Sequence, residues 1–133
     1  MNDEKSYEGG CLCGAVRYRC RGRPGWIAHC HCESCRRAGG TVIMTWAGYT
    51  PDTYKVTAGF PVRFASSSGV QRSFCGNCGT PLTYESKRWP GEVHVTVGTL
   101  DRADDFPPER HVHADERLPW LHLDDGLPSR GRD

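Results

Sequence analysis

No stretch of this sequence approaches the roughly 18 consecutive apolar residues that a membrane helix needs. No block of like charge is present either. Lys and Arg number 17 against 16 Asp and Glu, a formal charge of +1. Without a basic stripe there is no electrostatic footprint for nucleic acid or an anionic membrane surface. The start, MNDEKSYEGG, lacks the charged-then-apolar layout of a secretion signal, so a cytoplasmic protein is expected. Internal repeats and low-complexity segments are absent. Helical signal is scarce, with one short helix expected at about 34–38, stopped by Gly39-Gly40.

Cysteine, by contrast, is abundant, with eight in 133 residues. A secreted domain would pair them as disulfides. A cytosolic one keeps its thiols reduced, which makes metal binding the better reading. The length and the 37% apolar content suit one domain with a real core. Gly 16 and Pro 9 supply many turns. Between them the pattern has period two. In AVRYRCRG, Val16, Tyr18 and Cys20 face one way, and Arg17, Arg19 and Arg21 the other. TVIMTWAG, YKVTAG, PVRFASS, VQRSF, TPLTYES and EVHVTVGTL read as further short strands. The fold expected is mainly β with little helix. Residues 1–6 are expected as a flexible arm and 129–133 as a frayed tail.

Seven of the cysteines fall in three clusters: Cys11 and Cys13; Cys30, Cys32 and Cys35; Cys75 and Cys78. CLCG and CGNCG each put two sulfurs on a tight turn before a glycine, Gly14 or Gly79, where the turn calls for positive φ. Two such knuckles make a closed tetrahedral zinc site that ties the start of the chain to its middle. Cys20, on the apolar face of a strand, reads as a small buried hydrophobe. Cys30, Cys32 and Cys35 then stand as three ligands with one open position, the arrangement of catalytic zinc. Water or a substrate thiol would fill that position, and a thiol on zinc is a nucleophile at neutral pH. The competing reading closes this site with His29, His31 or a distant histidine, as a second structural zinc. Seven thiolates on two zincs would bring the formal +1 to about −2. An acidic ligand therefore needs local cations, and Arg36 and Arg37, next to Cys35, are the candidates.

GGCLCGAVRY, HCHCESCRRAGG, FCGNCGTPL, VGTLD and HVHADERLPWLHLDDGLP together resemble the glutathione-dependent formaldehyde-activating enzyme family, also called the centromere protein V/GFA domain. The resemblance runs over 7–128. It implies an Mss4-like, zinc-binding β fold with two zinc ions. Cys11, Cys13, Cys75 and Cys78 match the structural site. Cys30, Cys32 and Cys35 match the catalytic one, open to the glutathione thiol. The implied activity is that of a carbon–sulfur lyase type of enzyme, adding glutathione as co-substrate to formaldehyde to give S-hydroxymethylglutathione. The implied partners are a small-molecule thiol and an aldehyde; the near-neutral charge argues against nucleic acid or membrane. The alternative is a non-catalytic two-zinc module that contacts a protein or chromatin partner.

His111 and His113 alternate in RHVHA, so they are expected on one face of a short strand, where a proton shuttle could stand. Glu33 reads as solvated, and Trp46, Trp89 and Trp120 as core or rim. Residues 118–128 are expected to cover a sheet edge or a pocket.

Overall fold

The computed structural model describes residues 5–131. Residues 1–4 and 132–133 lie outside the described residues, and with them most of the expected arm and the end of the expected tail. The architecture is mainly β. Among the described residues ten strands run β1 (Ser6–Gly10), β2 (Arg17–Arg21), β3 (Ile27–Cys30), β4 (Met44–Tyr49), β5 (Tyr54–Ala58), β6 (Val62–Ser67), β7 (Val70–Phe74), β8 (Pro81–Ser86), β9 (Val93–Thr96) and β10 (Arg110–Val112). Among the described residues there is one α-helix, α1 (Glu33–Gly39), which ends on Gly40 at φ 62°. The helix expected at about 34–38 is therefore present and a residue longer at each end.

Two sheets form. β1, β2 and β5 make a small antiparallel sheet. The larger sheet has the order β10-β3-β4-β9-β8-β7-β6 and is antiparallel except for the β10–β3 pair. Alternation divides its two faces. Ile27, Ala47, Tyr49, Val93 and Val95 point toward the small sheet and pack with Tyr7, Val16, Tyr18, Cys20 and Leu82. This is the main core. Cys20 lies in it fully buried, and burial pushes its thiol up to about 12, which suits a hydrophobe rather than a ligand. The other face carries Ala28, Cys30, Met44 and Trp46, packed with Cys32, Cys35 and Val112. The second cysteine cluster and its pocket stand on that face.

Two strands, β1 and β3, were not legible in the sequence, and a third, β10, is shorter than expected. β1 begins at Ser6, inside the expected arm, and pairs with β2 from Ser6↔Arg21 to Gly10↔Arg17. β3 is only four residues long and is buried on both faces, so no alternation marks it. β10 ends at Val112, because His113 turns into the left-handed region at φ 53°. His111 and His113 therefore do not share a strand face, contrary to the expectation. Beyond β10, Ser129 bridges to His111, and backbone bonds from His111 to Pro128 and from Arg130 to His111 hold the chain along this edge. Residues 128–130 thus line the sheet edge. No helix among the described residues is long and apolar enough to cross a membrane.

Candidate metal centres and pocket

The first centre joins the two knuckles. The sulfurs of Cys11, Cys13, Cys75 and Cys78 lie within 4.8 Å of one another. Cys11 and Cys13 are 3.6 Å apart, and Cys13 and Cys75 are 3.8 Å apart. Tetrahedral zinc with bonds of about 2.3 Å places its sulfurs about 3.8 Å apart, so the set fits that ion. Each knuckle closes through the N–H of its glycine. The Gly14 N–H bonds to the Cys11 carbonyl and the Gly79 N–H to the Cys75 carbonyl, and both glycines sit at φ 82°. The Leu12 N–H reaches Thr80 Oγ1 at 3.1 Å, which stitches one knuckle to the other. N–H donors aim at the sulfurs: Val16 at Cys11 (3.3 Å), and Asn77 at Cys75 through its backbone (3.3 Å) and at Cys13 through its side chain (3.2 Å). Such donors favour thiolate. The Val16 N–H holds Cys11 low, and the Thr80 hydroxyl holds Cys78 down to about 5.

The second centre has three sulfurs. Cys30 ends β3, Cys32 caps α1, and Cys35 lies in the first turn of the helix. All three are buried, and their sulfurs also lie within 4.8 Å of one another, with Cys30 and Cys35 at 3.6 Å. Cys32 Sγ accepts the Cys35 backbone N–H at 3.3 Å, a capping bond that sets the sulfur at the helix start. The neighbouring thiols of Cys30 and Cys35 hold Cys32 low, and donating to Cys32 holds Cys30 high. Close together and buried, the three thiols thus oppose one another's full ionisation. A divalent cation lets all three ionise, so the donor set suits zinc.

No histidine joins this cluster among the described residues. His29 Nδ1 is 2.7 Å from Thr45 Oγ1. His31 is fully buried and its Nε2 is 2.8 Å from His111 Nδ1, while His111 Nε2 is 2.8 Å from Asp125 Oδ2.

The three cysteines line a cavity of about 420 Å³. Its floor is a cross-strand row on the outer face of the large sheet. Gly48 of β4 pairs with His94 of β9, His94 with Tyr84 of β8, and Tyr84 with Arg72 of β7. Gly48 is bare so that the Trp26 indole can lie against the sheet: a Cβ there would come within 2.3 Å of Trp26 Nε1. The rings then stack in sequence. Trp26 meets His94 edge-on at 4.6 Å, His94 meets Tyr84 at 5.3 Å, and the Arg72 guanidinium lies 4.9 Å over Tyr84. Glu92 Oε1 accepts from Trp26 Nε1 (3.3 Å) and lies 2.8 Å from His94 Nε2. Burial keeps His94 below its ordinary pKa, against the pull of Glu92. Beyond Arg72 and Tyr84 the cavity adjoins a larger groove of about 860 Å³ that runs over β7 and β8.

Several residues singled out in the sequence stand away from this pocket. Arg36 lines neither cavity, and its Nε is buried without a partner. Arg37 pairs with Glu33 at 2.9 Å on the exposed helix face and borders only the larger groove. His111 is buried in its chain to Asp125, whereas His113 lines the pocket with Nδ1 3.4 Å from Glu116. Trp46 and Trp89 line the pocket, and Trp120 is exposed. His94, Trp26, Tyr84, Arg72 and Arg110 line it too, and sequence reasoning missed them. The alternation in EVHVTV marked His94 as opposite to Val93 and Val95, but only the valine face was read.

The profile of the family described as glutathione-dependent formaldehyde-activating enzyme matches residues 6–116. A Halomonas elongata protein, whose name assigns it provisionally to that activity, is 31% identical over 127 residues, covering 88% of this chain and 80% of its own. An uncharacterized lyase of Schizosaccharomyces pombe is 33% identical over 78 residues, covering 59% of this chain and 56% of its own. A crystal structure of a Rhodobacter sphaeroides protein shares the fold, with a TM-score of 0.61 and 21% identity over 92% of this chain and 99% of that one.

Proposed function

Because the chain belongs to the glutathione-dependent formaldehyde-activating enzyme family, we propose that it adds the thiol of glutathione to formaldehyde or a related small aldehyde, a carbon–sulfur lyase-type reaction giving S-hydroxymethylglutathione. The observation that carries this reading is the three-sulfur cluster of Cys30, Cys32 and Cys35 in a pocket wall, beside a separate and complete four-sulfur cluster. Cys11, Cys13, Cys75 and Cys78 would hold a structural zinc, and Cys30, Cys32 and Cys35 a working one. A bound zinc supplies the positive charge that lowers the pKa of a thiol.

The remaining chemistry falls to the pocket. Neutral His94 donates Nε2–H to Glu92, which leaves Nδ1 as the acceptor. His94 takes the thiol proton as the sulfur electron pair forms the C–S bond. The carbonyl π pair moves to oxygen, and His94 returns the proton there. Thiol and formaldehyde thus combine into the S-hydroxymethyl adduct with no atom or electron gained or lost. Trp26, Trp46 and Tyr84 wall the site with apolar surface that excludes competing water.

The addition also runs uncatalysed, so the test is an exchange rate. Zinc-loaded protein should speed the interconversion of formaldehyde and S-hydroxymethylglutathione, measured by NMR exchange, in proportion to its concentration. Exchange at the spontaneous rate would refute the reading.

A further inference from the structure

The ring row on the pocket floor has an arginine at each end. Arg72 lies 4.9 Å over Tyr84 at one end, and Arg110 lies 5.7 Å over Trp26 at the other. Tyr84, His94 and Trp26 stand between them, each step about one ring contact long, 5.3 Å and then 4.6 Å. Both arginines line the same cavity as Cys30, Cys32 and Cys35. We propose that Arg72 and Arg110 are paired anion anchors, which select a thiol that carries an anionic group on each side of its sulfur.

Each arginine retains capacity for an anion. Arg110 makes one long ion pair, 3.8 Å to Glu109, and its Nε is buried without a hydrogen bond. A buried donor in that state gains from a ligand acceptor. Arg72 lies on the face of the Tyr84 ring. Planar guanidinium groups stacked on rings keep their N–H edges free for bidentate carboxylate recognition.

The two ends differ in their surroundings. At the Arg110 end the pocket also holds Glu92 and Glu116. Glu92 is engaged by Trp26 and His94, and Glu116 by the Glu33 backbone N–H and His113. At the Arg72 end the adjoining groove is lined by Arg37 and Lys87 and, among the described residues, by no carboxylate. The Arg72 end is thus the more positive, and its anchor should contribute more. A cavity of about 420 Å³ is in the range of pockets for compact ligands.

This inference rests on the proposed thiol–aldehyde reaction, and it assigns that reaction's thiol as one with a carboxylate on each side of a central sulfur. Glutathione has that shape, with a carboxylate on each side of its cysteine. Direct binding separates the two claims. Zinc-loaded protein is titrated calorimetrically with glutathione, with its glycine-carboxylate ethyl ester, and with N-acetylcysteamine, a thiol without anionic groups. Wild type should bind glutathione at least tenfold more tightly than either of the others. Arg72→Gln and Arg110→Gln should each weaken glutathione about tenfold and leave N-acetylcysteamine unchanged, with Arg72→Gln the more severe. The ester penalty should vanish in one variant, whose anchor holds the glycine carboxylate, and persist in the other. Arg72→Lys and Arg110→Lys should restore part of the preference. If wild type binds all three thiols equally, the anchors are refuted while the thiol reading stands, and this arm needs no variant to fold. Equal losses for glutathione and N-acetylcysteamine in the Gln variants also overturn the proposal. If wild type binds no thiol at all, the thiol reading itself falls.

Discussion

His31 and His111 share a 2.8 Å hydrogen bond between Nε2 and Nδ1, and the bond has a direction. Asp125 is held below the usual carboxylate range, first by the Leu127 backbone N–H and then by His111, so it is ionised at neutral pH. It therefore accepts from His111 Nε2–H at 2.8 Å. That leaves His111 Nδ1 as an acceptor and makes His31 Nε2–H the donor. The chain pins the residue between Cys30 and Cys32, and so fixes the backbone that presents both sulfurs. His111→Leu should strand a buried N–H and cost about 1–3 kcal/mol, read from urea unfolding of the zinc-loaded protein. Asp125→Asn, at a partly exposed acceptor, should cost less. Equal stability of His111→Leu and wild type would contradict this assignment.

The knuckle glycines make a second prediction. Nothing lies within 4 Å of a Cβ built on Gly79, so its demand is purely conformational. At φ 82° an L side chain costs roughly 1–2 kcal/mol. Gly79→Ala should lower the thermal midpoint accordingly, and Gly79→Asn by less. Cys75→Ser removes a ligand outright. Binding free energy at such centres is folding free energy, on the order of 10–16 kcal/mol. The variant should be recovered unfolded or insoluble; a stable, soluble Cys75→Ser protein would sink the structural assignment of the first centre.

The second centre should behave in the opposite way. Cys32→Ser should leave the domain folded, because the main core between the sheets does not include this sulfur. It should lower bound zinc from about two per chain to about one and reduce the exchange rate to the spontaneous value. Circular dichroism together with elemental analysis checks both. Global unfolding of this variant would make the centre structural.

His94 sets a pH dependence. Its burial, with Glu92 and Glu85 pulling the other way and Tyr84 and Trp26 against the ring, keeps its folded pKa below 6.5. Only the neutral ring can take a proton, so kcat/KM should fall as pH drops through that lowered value. His94→Gln should reduce the rate roughly 100-fold, the scale of a lost acid–base group, and flatten that limb. Stability follows the same sign. Below pH 6.5 the unfolded chain binds a proton that folded His94 refuses, so the folded state loses free energy as pH falls. A limb unchanged by His94→Gln would assign the titration elsewhere.

The grouping of the cysteine sulfurs was legible in the sequence because cysteine spacing is local. C-x-C and C-x-x-C turns converge on one ion whatever the surrounding fold, and the positive φ of Gly14 and Gly79 follows from the same turns. The strands that alternate were legible as well. β3 was not, since it is buried on both faces, and β1 was not, since SYEGG offers little apolar pattern. The pocket was hidden for a different reason. Trp26, His94, Tyr84 and Arg72 come from four segments and meet only through strand register, which no local pattern encodes. Arg36 and Arg37 were singled out because they adjoin Cys35 in sequence, but α1 turns Arg37 outward to Glu33.

The central claim is that the three-sulfur centre receives the thiol of a substrate. Cobalt(II) in place of zinc reports this directly through its sulfur-to-metal charge-transfer absorption. Protein carrying cobalt at both centres is titrated with glutathione. The account predicts a saturable rise equal to one additional thiolate per chain, lost in Cys32→Ser. A spectrum that glutathione leaves unchanged would contradict it.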